Sequence, residues 1–382
     1  MHIMHILGNF GHGGAEMGVV RIIKGFPKGD IEHSVCSIGS NVDMKKLLPK
    51  GINCYSHGID GASYTAFMPL YRLLKKTNSD IAHVNNLAPW FDVAVASKLA
   101  NCKCIETFHG VEENITTLPM PRRLLAKAAS LLTASITAVA ESAANLLTQL
   151  TKIKKNRVTV LPNAVDTDLF CPCPSSEIKT ELRKSFNLPE KGLLMGCVAA
   201  LRPVKDHQGL LKAFAKAVSD KEVMVSNSDI YLVLVGEGPL EIELKALSQA
   251  LGVGRQVMFL SRRNDVNKIL QALDAFVLNS KTEGMSYAIL EAMAAGLPVI
   301  ATDVGANSEL IRHDLEGYLV PQGDTETMAR YITLLINNRS RLIEMGKNAR
   351  KKIIKSYSLK KMISSYKTLY EEVIGENREH QR

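Results

Sequence analysis

The sequence predicts an α/β protein built from two Rossmann-like domains, and three observations support this. The chain has 382 residues, more than one ordinary domain needs to bury a core. Short apolar runs alternate with helical stretches, which is the pattern of a parallel sheet with helices on its faces. The pattern begins at residue 2 and begins again at residue 193. We therefore expect each half of the chain to form its own sheet and its own core.

The composition is that of a globular protein. Hydrophobic residues make up 46% of the chain and charged residues 22%, which argues against disorder. No uncharged apolar run reaches the roughly 18 residues of a transmembrane helix. The first residues lack the basic start and apolar run of a secretory signal. The seven cysteines are an odd number in a long chain, which favours reduced thiols and a cytoplasmic location.

The net charge of +9 is concentrated in the first half. Residues 1–165 contain 18 Lys and Arg but only 11 Asp and Glu. This excess predicts an anionic partner, which is a membrane surface, a phosphorylated acceptor or a nucleic acid. No helix-turn-helix, zinc finger or aromatic-rich strand motif is present, so we predict that no nucleic acid binds. A solvated basic face without a partner is the alternative.

The first strand, His2 to Leu7, leads into a glycine-rich turn that contains Gly13 and Gly14, and a helix follows from Ala15 to Phe26. Strand, glycine-rich turn and helix form the opening of a Rossmann-type unit, whose turn approaches a phosphate. The Gly-x-Gly-x-x-Gly spacing of a dinucleotide site is absent. A plain surface turn is therefore the alternative.

Later strands of this half end in polar residues. Asn85 closes the strand that begins at Ile81, and His109 closes the strand that begins at Cys104. Ligands of open α/β sheets bind at the carboxyl ends of strands, although a lone histidine is more often structural. Residues 121–132 predict a basic amphipathic helix with paired leucines. It could lie on an anionic bilayer, but we favour a surface helix with its leucines in the core.

The second half repeats the pattern. After the strand at residues 193–198, Arg202 and Lys205 precede a helix at residues 209–218. Two cations at a strand–helix junction can hold a diphosphate, the arginine as a planar fork and the lysine as a point charge. Two ordinary surface cations are the alternative. Strands at residues 230–235 and 257–260 end at Gly236 and Leu260, and residues 362–373 predict a closing helix.

Residues 283–286 lie between a buried strand at 275–278 and a helix at 287–295. Free N–H groups and the positive end of the helix dipole make such a junction an anion site, and Gly284 lets the backbone come close to a ligand. Glu291 follows Glu283 by eight positions, about two helical turns, so both carboxylates are predicted near one face. The alternative is that Glu283 only stabilises the helix start and Glu291 is solvated.

This last stretch carries a resemblance to a known family. Glu283 and Glu291, with the run Ala-Met-Ala-Ala-Gly-Leu-Pro-Val-Ile-Ala-Thr after the second, closely resemble the donor-binding signature of GT-B retaining glycosyltransferases of family 4, also called glycosyl transferases group 1. Other similar segments are Gly13-Gly14-Ala15-Glu16, His109-Gly110, Pro162-Asn163-Ala164-Val165-Asp166 and Gly236-Glu237-Gly238-Pro239. The resemblance implies the GT-B fold, in which two Rossmann-like domains face a central cleft and a C-terminal helix crosses back to the first domain.

On this resemblance we divide the chain into four parts. Residues 1–165 are the acceptor-binding domain, 166–190 a linker, 191–355 the nucleotide-sugar donor domain, and 356–374 the returning helix. Asp166-Thr167-Asp168 spells the metal-binding motif of the other large glycosyltransferase fold, but its place beside the linker favours turn and cap chemistry. Neither Cys102-Lys103-Cys104 nor Cys171-Pro172-Cys173 has the usual metal spacing. We expect no essential metal and no cofactor.

The resemblance also implies an activity. A sugar would move, with retention at the anomeric carbon, from a nucleoside diphosphate sugar to a glycan or a polyprenyl-diphosphate-linked glycan during biosynthesis of surface polysaccharides such as lipopolysaccharide or exopolysaccharide. We favour UDP as the nucleotide. The acceptor and the basic first domain together would allow work at the inner face of the cytoplasmic membrane. A nucleotide-sugar epimerase of the same shape and a non-catalytic sugar-nucleotide-binding protein are the alternatives.

Site residues follow position by position from the matching motifs. The expected catalytic residues are Arg202, Lys205, Glu283 and His109. The expected donor-binding residues are Gly13, Gly14, Arg202, Lys205, Gly236, Leu260, Glu283, Gly284, Met285, Ser286, Tyr287 and Glu291. The expected acceptor-binding residues are Gly14, Asn85 and His109. The family often has its arginine five positions before the lysine, where this chain has Ala200. The family usually has glycine where this chain has Ser261, and this departure leaves the identity of the nucleotide base open.

Overall fold

A computed structural model describes residues 1–60, 65–110, 115, 117–220 and 229–379, except for the side chains of residues 376–379. The chain divides into two compact units. Unit 1 comprises Met1–Asn163 with Leu359–Arg382, and unit 2 comprises Ala164–Ser358. Each unit contains its own parallel sheet, which confirms the two Rossmann-like halves predicted from the repeated pattern.

Unit 1 contains a seven-stranded parallel sheet in the order β3-β2-β1-β4-β5-β6-β7. Its strands are β1 (His2–Leu7), β2 (Glu32–Ser37), β3 (Asn53–Ser56), β4 (Ile81–Asn85), β5 (Lys103–Phe108), β6 (Ser135–Ala138) and β7 (Val158–Val160). The helices before Asn163 are α1 (Gly14–Gly25), α2 (Phe67–Lys76), α3 (Leu87–Ala100), α4 (Met120–Leu132) and α5 (Glu141–Thr151). All six residues of β1 are buried, as expected for a strand covered by helices on both faces.

Unit 2 contains a six-stranded parallel sheet in the order β10-β9-β8-β11-β12-β13. Its strands are β8 (Leu193–Val198), β9 (Ile230–Val235), β10 (Val257–Leu260), β11 (Ala275–Leu278), β12 (Val299–Thr302) and β13 (Gly317–Val320). Its helices are α6 (Ser176–Ser185), α7 (His207–Ser219), α8 (Glu241–Ala250), α9 (Val266–Ala272), α10 (Tyr287–Ala294), α11 (Asn307–Leu310), α12 (Thr325–Asn337) and α13 (Arg339–Ser356).

The strand order creates one switch point in each sheet. The order reverses between β1 and β4 in unit 1, and between β8 and β11 in unit 2. In open α/β sheets, ligands bind beyond the carboxyl ends of the strands at such a point. The loops that follow these strands are therefore the expected place of a ligand site.

The last helix, α14 (Leu359–Glu379), packs on unit 1 and so confirms the predicted return of the C-terminal helix. It is longer than the predicted 362–373. Tyr370 is fully buried, and its hydroxyl lies 2.9 Å from Nδ1 of His83. Lys367 forms an ion pair with Asp30 at 2.7 Å. Helix α14 is thus joined to the sheet by a buried polar contact and to the loop between α1 and β2 by a surface ion pair.

The segment expected to be a linker, residues 166–190, is different in the structure. It contains α6, which begins after Ser175, whose hydroxyl accepts a hydrogen bond from the N–H of Ile178. Arg183 of this helix is buried and pairs with Asp274 at 2.7 Å. The proline-rich composition that suggested a linker lies outside the helix, and the whole stretch belongs to unit 2.

The leucines of α4 are also placed differently from the favoured interpretation. Leu124 is 57% exposed, and Leu131 is 79% exposed. The buried positions of the helix are instead small residues such as Ala126 and Ala129. Among the residues that the structure describes, no helix is long and apolar enough to cross a membrane.

Candidate functional site

Lys205 and Glu283 meet at the switch point of unit 2. Lys205 Nζ donates a hydrogen bond to Glu283 Oε1 at 2.6 Å, and the hydroxyl of Ser280 donates to the same oxygen at 2.6 Å. The Glu283 side chain is only 9% exposed and that of Lys205 is 24% exposed. An ammonium group has three N–H donors. Lys205 can therefore hold Glu283 and still donate to a ligand.

The two loops that carry this pair are bonded to each other. Lys281 N–H donates to Val204 O at 2.8 Å, and Asn279 Nδ2 donates to Asp206 Oδ2 at 2.9 Å. Asp206 also caps α7 through Oδ1, which accepts from Gly209 N–H at 3.3 Å. These contacts fix the position of Lys205 relative to Glu283. Asn279 and Asp206 were not among the predicted site residues, because neither matches a motif on its own.

Residues 279–286, between β11 and α10, form the loop that contains Glu283, here called the Glu283 loop. Gly305, in the neighbouring loop after β12, supports it. Its φ is +56°, and a Cβ placed on it would lie 1.9 Å from the carbonyl oxygen of Glu283. The N–H of Ala306 donates to Gly284 O at 2.9 Å. Only glycine fits this close approach. The sequence contained a signal for it, a glycine shortly after a strand, but nothing there shows which backbone it faces.

Helix α10 begins at Tyr287, the predicted start. Glu283 lies in the preceding loop, so it does not share a helical face with Glu291, although the spacing of two helical turns had suggested that it would. Ser286 occupies the N-cap position, but its side chain makes no cap hydrogen bond. The positive end of this helix therefore adjoins the Glu283 loop, as expected for an anion site. Met285 and Ser286 are buried there.

The remaining predicted donor residues of unit 2 follow the carboxyl ends of β8, β9 and β10. Gly236 N–H donates to Leu260 O at 2.9 Å. Gly236 has a φ of +150°, and a Cβ there would lie 2.1 Å from Ala199 O. The Arg202 side chain is exposed and precedes the short 3₁₀ turn Pro203–Lys205. These residues thus share one edge of the sheet with Lys205.

In unit 1, His109 and Asn85 are in direct contact. Asn85 Nδ2 donates to Ile6 O at 3.5 Å and to His83 O at 3.3 Å, which orients its amide oxygen toward His109. His109 Nε2 lies 2.9 Å from that oxygen and must carry the proton. Burial lowers the pKa of His109 to about 4. The imidazole is therefore neutral.

His109 Nδ1 consequently has a lone pair pointing away from Asn85. This buried atom has no hydrogen-bond partner among the described residues. Gly13 is the N-cap of α1 and Gly14 its first residue, so both follow β1 as Asn85 and His109 follow β4 and β5. The predicted residues of unit 1 thus lie at the same edge of their sheet, and they offer backbone N–H groups and one nitrogen acceptor.

Asp166 behaves as turn chemistry requires. Its Oδ1 accepts from the N–H groups of Asp168 and Leu169 at 2.9 and 3.0 Å. Within the described ranges, no three His, Cys, Asp or Glu side chains are grouped so that they could hold a metal ion. Metal independence nevertheless stays a prediction.

Comparison with protein families matches most of the chain. The family described as "Glycosyl transferases group 1" matches residues 178–352. The family described as "Glycosyltransferase Family 4" matches residues 12–169. The two matches correspond to the second and first halves of the repeated pattern.

Similar individual proteins act on sugars. The chain is 28% identical over 376 residues to the N-acetyl-alpha-D-glucosaminyl L-malate synthase of Bacillus anthracis. The matched region covers 94% of this chain and 95% of that protein. It is also 28% identical to the UDP-Gal:alpha-D-GlcNAc-diphosphoundecaprenol alpha-1,3-galactosyltransferase of Escherichia coli, over 81% and 79% of the two chains. The crystal structure of Anabaena Alr3699/HepE in complex with UDP has a TM-score of 0.82, 19% identity, and coverage of 97% and 100%. The last comparison shows a shared fold.

Proposed function

Because this chain belongs to the GT-B glycosyltransferases of the family 4 type, we propose that it transfers a sugar, with retention, from a nucleoside diphosphate sugar to a glycan or a lipid-linked glycan. The product would be part of a surface polysaccharide. The observation that carries the proposal is the Lys205–Glu283 pair beside the amino end of α10. It combines a cation for a phosphate with a carboxylate for sugar hydroxyls.

Lys205 and α10 would stabilise the leaving group. Negative charge grows on the diphosphate oxygens as the bond to the sugar breaks, and preorganised donors lower the energy of that charge in the transition state. Lys205 has N–H groups left after its bond to Glu283, and the dipole of α10 adds positive potential. Arg202 is exposed at the same edge and can turn its guanidinium onto the diphosphate.

The carboxylates would orient the sugars. Both side-chain hydrogen bonds described for Glu283 end on Oε1, so Oε2 is available to accept from hydroxyls of the donor sugar. We assign Glu291, which lies on α10 itself, to the ribose hydroxyls. No side-chain nucleophile takes part in this proposal. The acceptor attacks on the face that the leaving group vacates, and its proton passes to a departing phosphate oxygen.

His109 would accept a hydrogen bond from a substrate hydroxyl. Its Nε2 proton is used by Asn85, and Nδ1 is buried without a partner among the described residues. With a pKa of about 4, it carries no charge at neutral pH. It therefore positions a hydroxyl as a neutral acceptor, together with the backbone at Gly13 and Gly14.

UDP is the favoured nucleotide, and no metal is needed in this proposal. The Escherichia coli relative is named for UDP-Gal, and HepE was crystallised with UDP and with UDP-glucose. In place of a metal ion, Lys205, Arg202 and the start of α10 would neutralise the diphosphate. Ser261 follows β10 where the family usually has glycine. Because this departure bears on which nucleotide base is bound, the preference for UDP has to be measured against other nucleotides.

A polyprenyl-diphosphate-linked acceptor is favoured, with unit 1 at the membrane surface. The Escherichia coli relative is named for a diphosphoundecaprenol-linked sugar. The exposed leucines of α4 are accompanied by Arg122, Arg123 and Lys127. Basic residues beside exposed leucines would favour binding of this helix at the interface of an anionic bilayer. The protein would then work at the inner face of the cytoplasmic membrane.

The test is a transfer assay with UDP-sugars and a polyprenyl-diphosphate-linked glycan, in EDTA and in added Mg²⁺. The proposal predicts a product whose new linkage keeps the anomeric configuration of the donor, formed equally under both conditions. Inversion would refute retention, and a strict need for metal would refute the metal-free site. Donor turnover without acceptor would indicate an epimerase. Donor binding without turnover would indicate a binding protein.

A further inference from the structure

Unit 2 contains a cavity at the opposite edge of its sheet from Lys205. Its volume is about 890 Å³, within the roughly 300–1,000 Å³ that small-molecule sites occupy. Leu193, Leu273 and Leu297 form part of its lining. These leucines lie at or just before the amino ends of β8, β11 and β12. Lys205 and Glu283, by contrast, follow the carboxyl ends of β8 and β11.

The interior of this cavity is apolar. Leu193, Leu273 and Leu297 are 4%, 0% and 6% exposed, so they form a recessed floor. Ile343 and Ile354 of α13 line the wall and are 57% and 51% exposed. Both side chains are largely open to water. Covering them with an apolar chain would remove apolar surface from water, which is favourable.

The rim of the cavity is cationic. Lys347, Lys351 and Lys355 recur at four-residue intervals along α13, so they lie on one face of the helix. They line the cavity, and in the part of the chain that the structure describes none of them forms an ion pair. Among the lining residues that the structure describes, the carboxylate is that of Asp274. It is already neutralised by ion pairs with Lys179 at 2.6 Å and with Arg183 at 2.7 Å. The cavity therefore has a strong excess of positive charge.

We propose that this cavity binds a single-chain anionic amphiphile. The apolar chain would lie over the leucine floor and against Ile343 and Ile354. A phosphate or carboxylate head would bind Lys347, Lys351 and Lys355 at the rim. An anion without a chain would leave the floor uncovered, and a neutral chain would leave the lysines unpaired. A bilayer surface would reach the exposed isoleucines but not the recessed leucines.

The position of α10 connects this cavity to the candidate donor site within unit 2. Ala295, Gly296 and Leu297, which follow α10, line the cavity. The Glu283 loop precedes the same helix. Eight helical residues span about 12 Å. The amphiphile site is thus separate from the donor site but lies at the other end of one helix.

The probe for the experiment is dodecyl phosphate below its micelle concentration, titrated calorimetrically into the full-length protein. We expect saturable 1:1 binding, with at least tenfold weaker binding of inorganic phosphate and of the neutral amphiphile dodecyl maltoside. Lys347→Glu/Lys351→Glu and, separately, Ile354→Asp should each weaken dodecyl phosphate binding at least tenfold. All three positions lie on the accessible side of α13, so the variants should fold, which far-UV circular dichroism checks.

Lys75→Glu/Lys76→Glu is the matched control. It makes the same charge change at two lysines at the end of α2 in unit 1, and it should bind the probe like the wild type. Equal binding of dodecyl maltoside, or equal weakening in the control, would overturn the proposal. So would binding of anionic vesicles without binding of the monomeric probe. UDP affinity should be unchanged in the α13 variants; a parallel loss would assign the effect to the donor site.

Discussion

At the scale of single residues, the Lys205–Glu283 ion pair determines what the candidate donor site can do. Burying two charges costs desolvation energy, which good geometry and further hydrogen bonds must offset. The hydroxyl of Ser280 supplies such a bond to Glu283 Oε1. The hydroxyl of Thr302 in turn donates to Ser280 O at 2.6 Å. The carboxylate is thus held in place before any ligand arrives, so less ordering is needed on binding.

Gly305→Ala tests whether the Glu283 loop is held by close backbone packing. A Cβ at this position would overlap the Glu283 carbonyl, so the loop must shift. We expect UDP affinity to fall at least tenfold, about 1.4 kcal/mol, together with a loss of stability. Calorimetric titration of UDP and urea unfolding would measure the two effects.

Gly323→Ala is the control for that change. Gly323 has a φ of +79°, and a Cβ added there would have no neighbouring atom within 4 Å, so alanine carries the backbone strain without the clash. Its cost should be limited to about 1–2 kcal/mol of stability. If both variants lost the same stability and neither lost UDP affinity, the proposed support of the Glu283 loop would be wrong.

The positions of the candidate site residues, after strands and before helices, could be predicted from the sequence, but the contacts between these residues could not. Lys205 and Glu283 are 78 positions apart, and each was proposed from its place at a strand–helix junction together with the family resemblance. Their contact depends on β8 and β11 being neighbours in the sheet, which no local pattern encodes. The supporting residues Ser280 and Gly305 have the same limitation, because a hydroxyl or a glycine is informative only once its neighbour is known.

At the scale of elements, α14 is attached to unit 1 through an ordered chain of hydrogen bonds. The hydroxyl of Thr137 donates to Glu106 O at 3.0 Å, so it accepts from Thr107, which lies 2.7 Å away. Thr107 then accepts from His83 Nε2 at 2.7 Å. His83 Nδ1 is left as an acceptor for the hydroxyl of Tyr370. This series of hydrogen bonds requires a neutral His83, because Nε2 donates and Nδ1 accepts.

Tyr370→Phe should loosen α14. The substitution removes the donor to His83 Nδ1 and leaves a buried acceptor unpaired, which costs about 1–3 kcal/mol. Tyr331→Phe is the control, since it removes an exposed hydroxyl contact to His313 at 3.2 Å and should cost well under 1 kcal/mol. Urea unfolding of both variants measures the difference. An equal effect would show that the Tyr370 hydroxyl does not hold the helix.

Leu124→Glu/Leu131→Glu tests α4 as a membrane contact. Two exposed leucines become acidic, so both apolar insertion and attraction to anionic lipid decrease. We expect at least tenfold weaker binding to vesicles that contain phosphatidylglycerol. Leu334→Glu, at a leucine of α12 that is 46% exposed, should leave vesicle binding unchanged. Binding by all the variants at the wild-type level would refute the role of α4.

Most elements follow from local patterns, and the exceptions have specific causes. Strands buried on both faces are continuous apolar runs, and β9 and β10 have the predicted bounds. Helix α6 was missed because the surrounding prolines dominated the composition of its segment. The exposure of α4 was missed because a leucine-rich helix pattern shows which residues share a face but not which face meets the sheet.

At the scale of the whole molecule, buried histidines make stability depend on pH. Burial lowers the pKa of His83 to about 3 and that of His33, His109 and His207 to about 4. His5, wholly buried, has a pKa well below its usual value. In the unfolded chain these groups titrate near 6.5. Below pH 6.5 the unfolded state therefore binds more protons, and the free energy of unfolding falls.

We predict that stability decreases between pH 6.5 and pH 5, by at most about 2 kcal/mol for each of these buried histidines. The buried carboxyl of Glu106 acts in the opposite direction, because burial raises its pKa well above the usual value. Five histidines outweigh it. Urea unfolding at pH 7.5, 6.5, 5.5 and 5 measures the slope. His33→Gln should reduce the slope, and a stability independent of pH in this range would contradict the prediction.

The most direct test of the account is calorimetric titration of UDP, GDP and ADP in EDTA. The wild type should bind one nucleotide, with UDP favoured, and Lys205→Ala should weaken that binding about a hundredfold, because it removes a partly buried charge contact worth about 2–5 kcal/mol. Lys212→Ala, at an exposed lysine of α7, should bind like the wild type. Failure of all three nucleotides to bind at millimolar concentration, or equal binding by wild type and Lys205→Ala, would contradict a nucleotide-sugar site at Lys205 and Glu283.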